Sequence, residues 1–382
     1  MPMIRSSGLC LLFIVASGAP AWHCPAAEPV DVVPLLRAIR AVGPKGAGHR
    51  EAIAVWPRLA QADAAQLPDI LAGMQGAGPL AVNWLRSAVE TIVQRQLERG
   101  GELPLAALER LLADRRHAPP AWRMAYELIL SRQPDAKQRL AAGLLDDPSL
   151  ELRRDAIVFA LADARRLLDG GQKQAAAAAY RRTLSAARDL DQIKESTERL
   201  RGLGETVDLP KHFGFIIRWQ LVGPFDNRKE CGFDVAYEPE RNPQPGAEYQ
   251  GQTGPVRWLV HTTPDEFGMV DLNKALGRFK GAIAYAYAEF LADAARDVEV
   301  RLGCINGHKV WLNGELIASN HVYHTGAYID QYMAKGRLRP GKNVILVKVA
   351  QNEQTEAWAQ DWKFQLRVCD QYGTAVLSTD RG

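Results

Sequence analysis

The sequence has few cysteines and no long apolar stretch, and both absences narrow the classes of protein that it can encode. Five cysteines occur in 382 residues, which is far below the density of a disulfide-stapled scaffold. No Cys-x-x-Cys pair or Cys/His spacing typical of a zinc site occurs. No apolar run reaches the roughly 20 residues that a membrane-spanning helix needs. The sequence therefore predicts no disulfide scaffold, no zinc site and no membrane span.

A strong excess of one charge is also absent. The chain has 47 Lys and Arg against 44 Asp and Glu, which leaves a formal net charge of +3 at pH 7. No basic stripe with interleaved aromatic residues occurs, so we expect no nucleic-acid partner. The chain also lacks a Gly-x-Ser-x-Gly nucleophile elbow and a glycine-rich phosphate loop. These absences favour a protein that is not an enzyme.

The first residues have the features of a secretory signal peptide. Arg5 supplies a short basic region, residues 8–17 form an apolar stretch, and the small residues of a cleavage site follow. The pattern predicts a signal peptide over residues 1–27, with cleavage between Ala21 and Ala27. We therefore expect the protein to be exported, to the periplasm or out of the cell.

The individual cysteines leave alternatives open. Cys24 could be lipidated, but a bacterial lipobox has a small residue before the cysteine and His23 stands there. After the leader only Cys231, Cys304 and Cys369 remain. The last two could pair across a sheet, and buried free thiols are the alternative.

An Arg-x-Ala-apolar pattern recurs within residues 28–205. Its four copies begin at Arg50, Arg86, Arg123 and Arg154, at offsets of 36, 37 and 31 residues. Each copy follows a proline, and proline is favoured in the first turn of a helix. These prolines are Pro44, Pro79, Pro119 or Pro120, and Pro148. A period of about 30 to 40 residues with helical spacing predicts stacked helix pairs.

The fourth copy carries the most specific local pattern. Residues 145–156 read LDDPSLELRRDA and resemble a HEAT repeat, in which an Asp-Pro turn begins the inner helix. One long helix is predicted from Gln172 to Arg201, with an apolar face that resembles a tetratricopeptide helix. Glycines end that helix, and residues 206–217 form a predicted linker. The resemblance implies a HEAT- or TPR-like solenoid over residues 28–205.

The second half of the chain has the pattern of an antiparallel sheet. Asn313 and Gly314 stand between two apolar runs, which is the strongest short-range signal for a hairpin. Residues 298–302 alternate between apolar and charged side chains, as in strands with one solvated face. Gly223 and Pro224 are predicted to end the first strand, because proline cannot donate to a ladder.

Three segments in this half, VWLNGELI, LRPGKNVILVKV and WKFQLRV, resemble the galactose-binding-domain-like jelly roll. That fold occurs in the sugar-binding module of family 2 glycoside hydrolases and in many secreted bacterial multidomain proteins. The resemblance spans residues 218–370, and its signature residues form turns, so it implies a fold without a fixed ligand motif. The predicted fold class is two-domain α + β: an N-terminal helical-repeat solenoid, then an antiparallel β-sandwich over residues 218–382.

Aromatic residues near the end of the chain are the candidate ligand site. Trp358 and Trp362 flank a polar insertion, at a place where the resembled modules run more directly between strands. Sugar rings stack on flat aromatic faces, and polar side chains fix their hydroxyls. With Tyr323, Tyr328 and Asn352, the two tryptophans form a predicted ligand patch. Packing in the core is the alternative for these side chains.

A metal site is the other candidate. Asp226, Asn227 and Asp234 carry oxygen ligands of the kind that calcium prefers, and structural calcium is common in jelly rolls of the resembled kind. The acidic stretch containing them, residues 226–240, is also the densest cluster of carboxylates, which a general acid and base pair would need. A long surface loop is the alternative to that catalytic role. His321 and His324 are three residues apart in a loop, and two solvated histidines are the alternative to a shared metal.

These features predict a secreted, non-catalytic protein that binds carbohydrate through the β-sandwich, with the helical repeats as a scaffold. A role as an accessory module in a glycoside hydrolase system fits the same features. The alternative is a protein-interaction or cell-envelope structural protein that uses the concave face of the repeats. Helices that expose a stripe of apolar side chains, or of side chains with charges of one sign, favour the alternative. Apart from calcium, no cofactor is predicted.

Overall fold

The computed structural model describes residues 30–380. The chain forms two compact units, Met1–Arg132 and Gln133–Gly382. The predicted signal peptide over residues 1–27 lies outside the described residues. Helices fill the first unit and the beginning of the second, and antiparallel sheets follow. The chain therefore has the predicted two-part α + β composition.

The first unit is helical throughout its described part. The helix that begins at Pro79 has a proline in its first turn. The fixed φ of proline suits a helix, and the first turn does not need the backbone N–H that proline lacks. The helix beginning at Val32 is capped by Asp31, whose carboxylate accepts from the N–H of Val33 at 3.1 Å. Its described α-helices are Val32–Arg40 (α1), His49–Leu59 (α2), Leu67–Ala72 (α3), Pro79–Glu98 (α4), Leu105–Ala113 (α5) and Pro119–Arg132 (α6).

The second unit begins with further helices and contains two short ones among its strands. They are Ala136–Ala141 (α7), Leu150–Asp169 (α8), Lys173–Ala186 (α9), Leu190–Gly202 (α10), Leu209–Phe213 (α11), Glu238–Arg241 (α12) and Leu272–Leu276 (α13). The single long helix predicted over 172–201 is wrong. Ala187 is extended, with ψ 141°, and α10 packs back against α9. This turn lets both halves bury their apolar faces, including Tyr180 and Ile193 in one cluster.

Each copy of the Arg-x-Ala pattern lies on a separate helix, namely α2, α4, α6 and α8. Its alanines, Ala52, Ala88, Ala125 and Ala156, are all buried. A methyl side chain at a buried position lets a neighbouring element approach the helix closely. The pattern therefore marks the inward face of each helix.

The rest of the second unit is antiparallel sheet. Its strands are Arg218–Asp226 (β1), Glu248–Gln250 (β2), Pro255–Arg257 (β3), Leu259–Thr262 (β4), Val270–Asp271 (β5), Ala282–Ala292 (β6), Arg296–Cys304 (β7), Gly307–Leu312 (β8), Glu315–Asn320 (β9), Tyr332–Leu338 (β10), Gly341–Gln351 (β11) and Lys363–Cys369 (β12). A six-stranded sheet has the order β4-β1-β6-β11-β8-β9, and a four-stranded sheet has the order β10-β7-β12-β5. One apolar core, which includes Trp219, Val347 and Phe364, contains side chains from both sheets. The two sheets therefore form a sandwich.

The predicted hairpin is confirmed. Asn313 and Gly314 join β8 to β9, and both have positive φ, 54° and 83°, as a type I′ turn requires. The predicted end of the first strand is wrong. β1 continues through Gly223 and Pro224, and its register with β6 shifts between Val222 and Phe225. A bulge accommodates the proline without ending the strand.

A cover segment, residues 231–258, lies over the outer face of the six-stranded sheet. Its Phe233 and Tyr249 pack with Phe225 and Tyr285 of the sheet in a second apolar cluster. These aromatic side chains anchor the segment, while the acidic side chains Asp234 and Glu238 are exposed, as the surface-loop interpretation expects. The side-chain ammonium of Lys348 is fully buried beneath the segment.

Cys304 and Cys369 are buried free thiols, and Cys231 is exposed and free. The register explains why the first two do not pair, because Cys304 lies opposite Phe364 and Cys369 lies opposite Glu299. They are thus at opposite ends of the β7–β12 ladder. Within residues 30–380, no helix has both the length and the apolar character to cross a membrane.

Candidate functional site

Several strands of the six-stranded sheet end or begin at one end of the sandwich. β1 and β11 end there, while β6 and β8 begin there. The loops after β9 and β11 join them. Six side chains from the segments after β1, β9 and β11 form what we call the loop-end cluster. They are Asn227, Glu230, Tyr323, His324, Asn352 and Trp358.

Asn352 is the centre of this cluster and is 6% exposed. Its amide nitrogen donates to Gln354 Oε1 at 2.9 Å and lies 3.5 Å from Glu230 Oε1. Its amide oxygen therefore accepts from His324 Nε2, 3.0 Å away. The His324 ring meets the Trp358 indole edge to face, with ring centroids 5.0 Å apart. The Trp358 side chain is nevertheless 60% exposed, so its face is open to a ligand.

Asn227 supports the same cluster from β1. The side chain is fully buried, and its amide nitrogen donates to the Tyr323 hydroxyl at 3.1 Å and to the Gln351 carbonyl at 3.0 Å. Burial raises the pKa of Tyr323 to about 12, although the hydrogen bond from Asn227 acts in the opposite direction. Tyr323 therefore keeps its proton at neutral pH. His321 stacks on Phe233 at 4.0 Å, which ties this loop to the cover segment.

Two buried acceptors of the cluster have no partner among the described residues, Asn227 Oδ1 and His324 Nδ1. Most buried polar atoms in proteins are hydrogen-bonded, so such exceptions call for an explanation. The backbone is also strained at this end. Lys229, Glu230 and His324 have φ of 57°, 58° and 61°, in the left-handed region. Strained residues of this kind concentrate at functional sites.

A shallow depression of about 710 Å³ adjoins Asn352. It is lined by Lys229, Glu230, Asn352, Glu353, Gln354, Thr355 and Glu356. Glu353 accepts from the backbone N–H of Lys229 at 2.7 Å, which links the two loops. The lining offers both donors and acceptors, and it lies beside the loop that carries Trp358. The depression can therefore supply the polar half of a ligand contact.

The predicted patch is only partly assembled. Trp358, Tyr323 and Asn352 belong to the cluster. The prediction for Trp362 is wrong, because this side chain is fully buried in the sandwich core and donates to the Val349 carbonyl. Its ring cannot stack on a ligand. Tyr328 is 67% exposed, yet no hydrogen bond or ring contact among the described residues joins it to the others.

The predicted calcium ligands face cations. Arg228 donates to both carboxylate oxygens of Asp226 at 2.8 Å and lowers the pKa of Asp226 to about 2. Lys309 donates to Asp234 at 3.0 Å and lowers the pKa of that carboxyl. Together with the buried amide of Asn227, these groups do not fit a calcium site in this arrangement. Within the described part of the chain, no group of three or more His, Cys, Asp or Glu residues could hold a metal ion.

Sequence reasoning missed the buried amides beneath the cluster. Asn306 donates to Gln351 Oε1 at 2.7 Å and to the Asp361 carbonyl at 3.2 Å, and both Asn306 and Gln351 are fully buried. They fix the loop that carries Trp358. The signal available in the sequence was the position of Asn306 and Gln351 at the ends of strands, where a solvated loop is expected. The hydrogen-bond partners of Asn306 lie 45 and 55 residues away along the chain, so this signal could not identify them.

Comparison with known proteins names no family for this chain. No protein-family model matches it, and no curated protein matches it. Some solved structures share parts of the fold at low similarity.

Three of these structures act on or bind carbohydrate according to their names. A β-glucosidase from Kluyveromyces marxianus in complex with glucose is 17% identical over 23% of this chain and 11% of its own, with a TM-score of 0.20. A β-glucuronidase from Faecalibacterium prausnitzii is 16% identical over 40% and 30%, with a TM-score of 0.24. A family 35 carbohydrate-binding module from Clostridium thermocellum is 11% identical over 28% and 99%, with a TM-score of 0.17. The matched part spans less than a third of either enzyme. At these scores the likenesses carry no functional argument.

Proposed function

We propose that this protein is exported and binds carbohydrate, without catalysing a reaction, through the loop-end cluster. The observation that carries the proposal is Trp358. Its indole is 60% exposed and lies perpendicular to the ring of His324. His324 in turn hydrogen-bonds to the buried amide of Asn352. An exposed indole that is fixed from behind offers a flat face on which a sugar ring stacks.

The polar groups around Trp358 suit the hydroxyls of a sugar. Glu230 and Asn352 line the adjoining depression, and a carboxylate and an amide together offer acceptors and donors. Asn227 Oδ1 and His324 Nδ1, which are buried and have no hydrogen-bond partner within residues 30–380, belong to the same cluster. This mixture of one aromatic platform and several neutral or acidic groups is the chemistry that carbohydrate recognition uses.

We further propose that the helices are HEAT-like repeats that serve as a scaffold. The buried alanine in every copy of the Arg-x-Ala pattern supports this interpretation. Export rests on the signal-peptide pattern of residues 1–27. The proposed absence of catalysis rests on the lack of a nucleophile motif in the sequence.

A glycan array probed with the full chain tests the proposal. The full chain is needed because Arg367 of β12 donates to the Phe213 carbonyl at the end of α11, so a sandwich cut free of its helices loses contacts. We expect binding that Trp358→Ala weakens about tenfold or more, which is about 1.4 kcal/mol. Tyr328→Ala is the matched control, because Tyr328 is 67% exposed, close to the value for Trp358, but lies outside the cluster, and we expect this variant to bind as the parent does.

Three results would count against parts of the proposal. A full chain that binds no glycan above background at high concentration removes carbohydrate binding. A loss confined to Tyr328→Ala removes the loop-end cluster as the site. Shortened products recovered from a bound oligosaccharide remove the non-catalytic role. Repeating the array with a chelator tests calcium, and we expect unchanged binding.

A further inference from the structure

A second surface, on the first helical unit, exposes apolar side chains. Ile53 on α2 is 62% exposed and Leu80 on α4 is 42% exposed. Trp56 and Trp84 are half-buried beside them, and Trp56 Nε1 donates to the Trp84 carbonyl at 3.3 Å. The His49 ring meets the Trp84 ring edge to face at 6.0 Å. We call these five residues the α2–α4 face.

The exposure of Ile53 is particular to the first copy of the repeated pattern. At the same pattern position the other copies have Val89, Tyr126 and Ile157, all of which are at most 1% exposed. Helical spacing puts His49, Ile53 and Trp56 on one side of α2. The first copy therefore turns outward an apolar side that the later copies bury.

The same part of the unit carries cations that form no ion pair with another residue of the described range 30–380. Residues 30–84, which hold the face, contain five Lys and Arg side chains and four carboxylates, and two of the four, Asp31 and Asp63, cap helices. The cations are Arg37, Arg40, Lys45, Arg50 and Arg58. None of the five forms an ion pair with any described residue. Unpaired cations on one region favour an acidic partner.

Some of these cations border the α2–α4 face. On a helix that turns 100° per residue, Arg50 lies about 60° from Ile53, whereas Glu51 lies about 160° away. Arg40 reaches Gly76, in the turn that leads into α4. On α4 the exposed neighbours Asn83 and Ser87 are uncharged. The border of the face is therefore cationic or neutral.

We propose that the α2–α4 face docks a partner protein through an acidic segment that carries apolar side chains. The apolar side chains of the partner would cover Ile53, Leu80 and the exposed parts of the two indoles, as anchors do at interface centres. Its carboxylates would pair with Arg50 and Arg40. A second copy of this chain fits poorly, because the same cations would then face each other. Docking at this face does not depend on carbohydrate binding by the loop-end cluster.

A random-peptide display library, selected on the immobilised full chain, tests the docking proposal. We expect enriched peptides that are net negative and carry large apolar residues. An enriched peptide is then synthesised and its Kd measured by fluorescence anisotropy at two salt concentrations. We expect Arg50→Glu and Ile53→Ser each to raise its Kd about tenfold or more, and added salt to weaken binding.

Matched controls distinguish docking at this face from nonspecific electrostatic or hydrophobic binding of the peptide. Arg58→Glu reverses a cation on another side of α2, and Val33→Ser removes an apolar side chain that is 62% exposed on α1, as Ile53 is on α2. We expect both to bind the peptide as the parent does. Circular dichroism checks that all four variants keep their helices.

Several outcomes would overturn the proposal. They are no enrichment, enrichment of neutral or basic peptides, and equal losses in controls and test variants. If no acidic peptide is enriched and the protein sediments with phosphatidylglycerol vesicles, and if Ile53→Ser abolishes that sedimentation, the face binds a membrane instead. A dimer in analytical ultracentrifugation that Ile53→Ser dissociates would make the occupant a second copy.

Discussion

At the scale of a single residue, Asn343 links the Asn313-Gly314 turn to the turn at residues 339–343, which leads into β11. The side chain is fully buried. Its oxygen accepts from the N–H of Arg339 at 2.8 Å and from Asn313 at 2.9 Å, and its nitrogen donates to the carbonyls of Arg339 and Gly341. We expect Asn343→Ala to lower the free energy of unfolding by about 3 kcal/mol, because it removes several hydrogen bonds of a buried side chain, each of which contributes about 1 kcal/mol. Urea unfolding followed by tryptophan fluorescence measures the loss.

Asn313→Gly is the control for that substitution. Glycine keeps the positive φ of the turn and removes only the side-chain bonds to Asn343 and to the N–H of Val344. We expect a loss of about 1 kcal/mol. A loss at Asn343→Ala no larger than at the control would show that Asn343 does not organise the two turns.

Single residues also show what local patterns can and cannot predict. The Asn313-Gly314 turn was predictable because its signal lies in two adjacent residues whose φ values are constrained. Trp358 and Trp362 stand only four positions apart, yet one is exposed and the other fully buried. The difference depends on Asn306 and Gln351, which set the path of the loop from distant strands. No local pattern carries that information.

At the scale of an element, a buried ion pair fastens the cover segment to β11. Lys348 donates to the carbonyls of Phe233 and Val235 and to the carboxylate of Glu240, which also accepts from Tyr285. Burial lowers the pKa of Lys348, while Glu240 acts in the opposite direction. We expect Lys348→Met to lower the free energy of unfolding by about 3 to 5 kcal/mol, because it leaves a carboxylate without its counter-ion. Limited proteolysis should cut residues 231–258 faster in the variant.

Lys342→Met is the matched control on the same strand. Lys342 pairs with Glu289 at 2.7 Å, but both side chains are substantially exposed. We expect a change below about 1 kcal/mol and unchanged proteolysis. If Lys348→Met leaves both stability and cleavage as in the parent, the ion pair does not hold the segment.

Element types were easier to predict than the ends and partners of elements. Helical prolines and the alternating strands gave the correct types for α4, α6 and β7. The break between α9 and α10 escaped prediction because residues 187–189 contain neither proline nor glycine, and the turn there follows from packing of one helix on the other. The pairing of Lys348 with Glu240 spans 108 residues, so only the folded chain brings the two together.

At the scale of the whole molecule, Asp330 connects the loops of the second unit to its helices. Its carboxylate accepts from Arg301 at 2.7 Å and from Arg367 at 2.6 Å. Arg367 in turn donates to the Phe213 carbonyl at the end of α11 and to the Gly373 carbonyl. The same loop carries Tyr323 and His324 of the loop-end cluster. One carboxylate thus holds together a strand, a helix end and a candidate binding loop.

The pH dependence of stability tests this connection. Burial alone would raise the pKa of Asp330, but the hydrogen bonds and charges of Arg367 and Arg301 hold it below its ordinary value. A carboxyl with a lowered folded pKa stabilises the fold above its unfolded pKa, near 4, and loses that contribution as pH falls through the folded pKa. We expect Asp330→Asn to lower the free energy of unfolding at pH 7 by about 3 to 5 kcal/mol, because it leaves the guanidinium of Arg367 buried without a counter-ion. The parent should lose stability between pH 5 and pH 3, and the variant should lose less over the same interval. Equal losses in both proteins would mean that other carboxyls control acid unfolding and that Asp330 is not the connecting group.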